Sequence, residues 1–363
     1  MKGMIYMKIA VIVPSNLINA PYYYLYENLL KSNNNLTFDL IYWNRLLTND
    51  SCSTNMIPFN CKDQVNSGNP LKLFKYIRFS SFIVKQIRKN KYDRIIILGS
   101  NGGVMALLSN YLEKHFKHRY WLDIRDYTYE NFKPYYKMIK KSIMNSFNTA
   151  ISSKKYETFL PKYDYSIVHN IDLININKSI ESRKNLIKSD KIRISYIGLN
   201  GYFDYQKKLV DIFANDDRFI LQFYGLNSEI IKDYCEKNHV QNVDFYGKFD
   251  SNKTAEFYQK TDIINNIYGN DRLALTTALS NKLYFSLALN IPILVCKNTY
   301  MEEVTKEAGN GFVIDFDSKT NPDDLYKWYH KTFLKEKNKC NIIFNNMVKE
   351  NEQFIQQFKK FIA

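Results

Sequence analysis

Apolar positions follow two patterns along the chain: short runs rich in β-branched and aromatic residues, and longer stretches where apolar residues recur at helical spacing. Their regular alternation predicts βα units and parallel sheets. Residues 8–13 (KIAVIV), 38–43 (FDLIYW), 94–99 (RIIILG) and 119–124 (RYWLDI) read as a first series of strands, with helices over 22–31 and 71–90 among them. A second series runs through 192–198 (IRISYIG), 218–225 (RFILQFYG), 242–247 (NVDFYG), 262–269 (DIINNIYG), 291–296 (IPILVC) and 311–315 (GFVID). Two such series imply an α/β protein of two doubly wound, Rossmann-like domains facing each other across a cleft.

Length agrees, because 363 residues exceed the roughly 150 to 200 that one core usually organises. The expected division is a first domain over 1–165, a hinge over 166–177 where KYDYSIVHNIDLININ passes from a short strand into a polar link, a second domain over 178–341, and a final helix over 342–363. That helix places Phe344, Met347, Phe354, Phe358 and Phe361 on its apolar side.

Composition narrows the class. No apolar run approaches the ~20 residues that span a bilayer, and the opening segment has only Ile9 to Val13 as an apolar core before Pro14, so neither a membrane anchor nor a signal peptide is expected. The five cysteines, Cys52, Cys61, Cys235, Cys296 and Cys340, are scattered without CxxC spacing, which argues against a disulfide framework or a zinc site and fits a reducing cytoplasm. The net charge of +15 points to an anionic partner: nucleic acid, an anionic membrane face or a phosphorylated ligand. Residues 72–94 carry eight Lys or Arg and one acid among Leu73, Phe74, Ile77, Phe82, Ile83 and Ile87. This basic amphipathic helix, with KPYYKMIKKSIM at 133–144, suits either the surface of an anionic membrane or packing against the sheet. No nucleic-acid-binding signature accompanies the charge.

Chemistry is expected where strands end. Gly198, Gly225, Gly247 and Gly269 close strands of the second series, where ligands bind in open parallel sheets and glycine admits a close backbone approach; a plain tight turn is the alternative. Ser280 is a candidate N-cap for a helix over 281–289, its hydroxyl accepting from first-turn N–H groups, with Asn290 as a left-handed C-cap. Lys282 then adds a charge to an electropositive helix start, where a phosphate or diphosphate would be held, unless it is simply solvated. GSNGG at 99–103, followed by Asp123, imitates a dinucleotide fingerprint but lacks GxGxxG. Asp315-Phe316-Asp317 matches a DxD metal pattern, yet it comes after both series, and no metal is expected. His169 in the hinge and His239 lie near strand ends, where a lone histidine is more often structural.

The order Asn281-Lys282-Leu283-Tyr284, then LALNIPILV to Val295, resembles the donor-domain segment of GT-B nucleotide-sugar glycosyltransferases of bacterial surface-polysaccharide assembly (capsule, O-antigen, exopolysaccharide). The opening strand, DIRDYT (123–128), SIVHNID (166–172), the strand end at Gly198 and NVDFYGKFD extend the likeness over most of the chain. The resemblance implies a GT-B fold whose C-terminal helix returns to the first domain. It also implies a cytoplasmic, metal-independent hexosyltransferase, without a cofactor and peripheral to the inner membrane if bound there. Such an enzyme moves sugar from a nucleotide-diphosphate donor to a saccharide or lipid-diphosphate-linked acceptor.

It carries donor or phosphate contacts to Ser280, Asn281, Lys282, Gly198, Asn200, Gly201, Tyr224, Gly225 and Gly247, and less firmly to Lys207 and Lys208. The acceptor side falls to Gly99, Gly102 and Gly103, and catalysis to Asp126 as base with Arg125 orienting it or a phosphate, against the alternative of an ion pair that fixes a loop. The chain departs from the family at Thr277 and Phe285, which stand where many retaining members carry two glutamates, and at Asn290 in place of glycine. Anomeric outcome is therefore left open. A catalytically silent GT-B-like binding protein and a nucleotide-dependent epimerase or dehydrogenase remain as alternatives.

Overall fold

Residues 7–63, 71–99, 104–125, 132–187, 189–318, 320–334 and 338–363 are described by the computed structural model of the protein. The chain divides into two compact units, one reaching His169 and including Glu350–Ala363, the other Asn170–Lys349.

In the first unit β1 (Met7–Val13), α1 (Tyr23–Lys31), β2 (Leu36–Asn44), β3 (Asn55–Asn60), α2 (Leu71–Asn90), β4 (Arg94–Leu98), α3 (Val104–Phe116), β5 (Tyr120–Ile124), α4 (Lys133–Met144), β6 (Asn148–Ile151) and β7 (Ser166–Ile167) follow one another. They form one parallel sheet in the order β3-β2-β1-β4-β5-β6-β7. The second unit runs through α5 (Leu173–Arg183), β8 (Ile192–Ile197), α6 (Phe203–Phe213), β9 (Phe219–Tyr224), α7 (Ser228–Lys237), β10 (Val243–Gly247), α8 (Thr254–Tyr258), β11 (Ile263–Asn265), α9 (Leu273–Thr277), α10 (Asn281–Leu289), β12 (Ile293–Cys296), α11 (Tyr300–Ala308), β13 (Gly311–Ile314) and α12 (Pro322–Lys327). Its parallel sheet is ordered β10-β9-β8-β11-β12-β13. The last helix, α13 (Cys340–Ile362), supplies residues to both units.

The β-branched runs become the central strands because helices cover both faces of a parallel sheet, so every side chain there is buried. β4 and β8 are buried along almost their whole length. Each sheet reverses its direction of winding once, at β1/β4 and at β8/β11. There consecutive connections leave in opposite directions and open a crevice beyond the strand ends.

Two strands lie outside the expected set, while β7 falls on the short strand expected at the hinge. β3 contains Pro58, which removes a ladder donor, and it occupies the sheet edge where that loss is tolerated. β6 is too short to carry a periodic signal. The strand expected over 262–269 is shorter, Ile263–Asn265, so Tyr268 and Gly269 belong to the following loop.

Within the first unit α13 places Phe354, Phe358 and Phe361 in the same core as Val11, Tyr26, Ile96 and Trp121. Phe358 meets Trp121 edge to face at 5.1 Å and Tyr26 at 5.1 Å. Removing a buried aromatic ring costs about 3–5 kcal/mol. Phe358→Ala is therefore expected to shift the urea transition reported by Trp121 fluorescence by that amount; a loss below about 1 kcal/mol would mean that α13 does not belong to this core.

Candidate functional site

The crevice at β8/β11 carries the most unusual charge in the second unit. α10 begins where expected, after extended Ser280, and ends at Asn290 in the left-handed region (φ 52°). Its Leu283, Tyr284 and Leu287 are buried against the sheet. Lys282, in the first turn, is buried too, at 6% exposure. Its Nζ donates to the Tyr268 hydroxyl (2.7 Å), lies 3.9 Å from the centre of the Tyr196 ring and 5.0 Å from that of Tyr268. Among the described residues no carboxylate pairs with it.

Gly198, which follows β8 with φ 132°, borders this ammonium: a Cβ there would sit in ordinary contact with Nζ, at 3.9 Å. A side chain at Gly198 would also be strained, since that φ belongs to a region that L-residues avoid. Tyr196 holds the same turn from below, its hydroxyl donating to the Leu199 carbonyl (2.9 Å).

Two helices start at this crevice without side-chain caps. Ser280 has the extended backbone of an N-cap, but its hydroxyl donates to Asn266 Oδ1 (2.5 Å) and makes no cap bond, contrary to the sequence expectation. α6 follows Tyr202, a left-handed residue (φ 55°) whose side chain likewise makes no cap bond and whose ring stacks on Tyr268 at 4.8 Å. Asn265 Nδ2 donates to Gln206 Oε1 (2.8 Å) of α6. The neighbouring residues Asn265 and Asn266, at the end of β11, thus tie α6 and the start of α10 to one strand end. Free first-turn N–H groups and a buried ammonium together favour an anion.

The remaining donor-side residues divide by role. Asn200 is buried and ties the β8 and β9 loops together through its Nδ2 on the carbonyls of Leu226 (3.1 Å) and Gly198 (3.4 Å), while its Oδ1 is left without a partner. A Cβ on Gly225 would collide with the Gly198 carbonyl, so that glycine serves the approach of the two loops. Open space surrounds the Cβ positions of Gly201 and Gly247. Tyr224 is a core residue at 1% exposure, stacked between Tyr246 (4.3 Å) and Phe257 (4.4 Å). Lys207 lies over the Tyr234 ring, and Lys208 over those of Tyr205 and Phe316. Phe285 stacks on Tyr258 at 4.5 Å, and Thr277 donates to the Leu273 carbonyl (2.7 Å), so both are absorbed by local packing. Sequence reasoning missed Tyr196 and Tyr268, although each lies one or two positions before a strand-ending glycine.

In the first unit, Arg125 and Asp123 form the corresponding buried charge cluster. They lie at i and i+2 on β5 and its exit, on one face. Arg125 Nε donates to both Asp123 oxygens (3.1 and 3.0 Å), Tyr26 donates to Asp123 Oδ2 (2.8 Å), and the guanidinium lies 4.6 Å from the Tyr22 ring centre. Burial alone would lower the Arg125 pKa, but the adjacent Asp123 carboxylate outweighs it and raises it. Arg125 is thus committed to an ion pair within its own strand, with Nη2 left unpartnered. Gly99 (φ 89°) follows β4, its missing side chain giving room to the Tyr22 hydroxyl. Asp126, Gly102 and Gly103 lie outside the described residues. His169 is 4% exposed and bonded through Nε2 to Glu350 (2.6 Å).

Asp315 of the DxD match accepts from Lys297 Nζ (2.6 Å), and no cluster of metal-ligating side chains occurs among the described residues.

Neither a family model nor a curated protein matches the chain. Solved structures do. Sucrose-phosphate synthase of Thermosynechococcus elongatus superposes with a TM-score of 0.70 at 12% identity, covering 98% of this chain and 99% of its own. HepE of Anabaena, solved with UDP and glucose, gives 0.62 at 12% identity with 98% and 100% covered. UDP-GlcNAc 2-epimerase of Neisseria meningitidis gives 0.57 at 13% with 98% and 100% covered. The fold is GT-B, two Rossmann-like domains with a returning C-terminal helix, as the sequence resemblance implied.

Truncating one partner of a buried ion pair costs about 3–5 kcal/mol, because the other charge is stranded. Asp123→Ala is expected to lower stability by that amount in urea unfolding followed by Trp121, and Asp123→Leu combined with Arg125→Met by clearly less. Equal losses would show that the pair's charge is not what matters.

Proposed function

We propose that the protein is a metal-independent glycosyltransferase that takes its sugar from a nucleotide-diphosphate donor bound at the β8/β11 crevice. The observation that carries this reading is Lys282, an ammonium withdrawn from water beside two helix starts without side-chain caps and, among the described residues, without a carboxylate partner. Burying an ion costs several kcal/mol. A hydrogen bond from a charged donor returns about 1.5–3 kcal/mol and a desolvated cation–π contact about 2 kcal/mol, yet neither carries the opposite charge. A diphosphate supplies the missing countercharge.

In the reaction, an acceptor hydroxyl attacks the anomeric carbon, the carbon–oxygen bond to the diphosphate breaks, and its electron pair stays on the departing phosphate. Lys282 and the first-turn N–H groups of α10 are aimed at that charge. Asp126 is our candidate to take the acceptor proton.

A lipid-diphosphate-linked acceptor, and with it a role in surface-polysaccharide assembly at the inner membrane face, is favoured by α2. Tyr76, Phe79, Ile83 and Ile87 pack inward, whereas Leu73, Phe74 and Ile77 are 61%, 59% and 43% exposed beside Arg78. An apolar turn set in a basic helix suits an anionic bilayer. Among the described residues no helix is long and apolar enough to cross one.

Calorimetry against UDP-, GDP-, CMP- and dTDP-sugars and NAD(P), followed by turnover with a lipid-linked saccharide, tests the assignment. Binding of NAD(P) alone would overturn it. Release of an epimerised sugar nucleotide without acceptor would favour the epimerase chemistry of the Neisseria neighbour. Binding without turnover would favour a silent protein. Lys282→Ala is expected to weaken donor binding about ten- to a hundredfold, the worth of a charge-assisted hydrogen bond, with an unchanged circular dichroism spectrum; unaltered affinity would refute the phosphate role.

Leu73, Phe74 and Ile77 replaced together by Ser should abolish flotation with phosphatidylglycerol vesicles and leave the protein folded. Undiminished flotation would remove α2 from the membrane contact.

A further inference from the structure

Asn281, the first residue of α10, is exposed, and its side chain is not free to rotate: Oδ1 accepts from Asn170 Nδ2 at 2.9 Å. With the carbonyl end of the amide taken, the Nδ2 end is turned away from Asn170, and no described residue accepts from it. It offers N–H donors at the first residue of a helix that lacks a side-chain cap.

Asn170 is itself well placed to impose this orientation. It is the first residue of the second unit, and the residue before it is fixed on both backbone groups. His169 N donates to Asn351 Oδ1 (2.7 Å), Asn351 Nδ2 donates back to the His169 carbonyl (3.0 Å), and His169 Nε2 meets Glu350 (2.6 Å).

We infer that Asn170 is a positioning residue for the anion site, holding the Asn281 amide so that its NH2 donates to the diphosphate of a bound donor. The inference rests on the donor assignment above. It concerns a residue far from α10 in sequence that touches no ligand itself, and it gives the segment joining the units a part in ligand affinity. Its chemistry is specific: an asparagine can donate to the Asn281 carbonyl, whereas an aspartate can only accept and would draw the Asn281 NH2 toward itself, leaving a carbonyl to face the anion.

The experiment is a double-mutant cycle on the full chain, with UDP and inorganic pyrophosphate as probes in calorimetry. Asn170→Ala and Asn281→Ala are each expected to weaken binding about three- to tenfold, the worth of one hydrogen bond, and the double variant no more than Asn281→Ala alone. Asn170→Asp should weaken binding more than Asn170→Ala, and most of that excess should vanish when Asn281 is also Ala. Both positions are exposed, so the melting temperature should stay within about a degree of wild type, as for surface changes. Unchanged affinity for Asn170→Ala, or losses that multiply in the double variant, would overturn the positioning role while leaving the donor assignment intact. Wild-type protein that binds neither probe would overturn both.

Discussion

A lysine ammonium enclosed by tyrosine rings, with no carboxylate among the described residues to answer it, is the constraint on which the second unit turns. Desolvating an ion costs several kcal/mol, and a hydroxyl and two ring faces offset part of that cost without supplying an opposite charge. The sheet topology fixes where this can happen. β8 and β11 are neighbours whose connections leave in opposite directions, so Gly198, Tyr202, Tyr268 and the start of α10 converge beyond their ends. The residues that shape the turn are subordinate to that point: Gly225 lets the β9 loop press on Gly198, and Asn200 ties the two loops together.

The first unit resolves the same problem in the opposite way. Arg125 is also buried beyond a strand end and also lies over a tyrosine ring, but Asp123 on the same strand neutralises it and Tyr26 satisfies the carboxylate. That cluster is joined to the core, because Tyr26 packs on Phe354 and Phe358 of the returning helix. One unit therefore closes its buried charge into structure, and the other leaves it open.

Much of this was legible in the sequence, and the gaps have physical reasons. α10 was readable to its ends, since an extended serine, helical apolar spacing and a left-handed asparagine are local signals. α2 was equally plain. β3 was hidden by Pro58, and β6 by its brevity. Lys282 could be singled out as a helix-start cation, but its burial could not, because Tyr196 reaches it from β8 and Tyr268 from the loop after β11. Arg125 is paired in the sequence with Asp126, its neighbour, whereas strand periodicity puts Asp123, two residues back, on the same face. Ser280 shows the limit of motif reasoning: its backbone obeys the cap rule, and its hydroxyl is drawn to Asn266 by a strand end that no local window contains.

Phe285 and Thr277 sharpen what kind of recognition is available. The positions where related enzymes place glutamates are filled by a ring stacked on Tyr258 and a hydroxyl bonded to its own helix, so no carboxylate stands ready to accept from sugar or ribose hydroxyls there. Around Lys282 the described neighbours are tyrosines, and the nearest polar side chains in α10's first turn are neutral amides and hydroxyls. Such a surface gains most from the anionic part of a ligand, where each contact is charge-assisted, and less from hydroxyls, where each exchange with water is nearly even. For a donor bound as proposed, selectivity among sugars would then rest on shape and on the aromatic faces of Tyr202 and Tyr268 rather than on ionic hydrogen bonds.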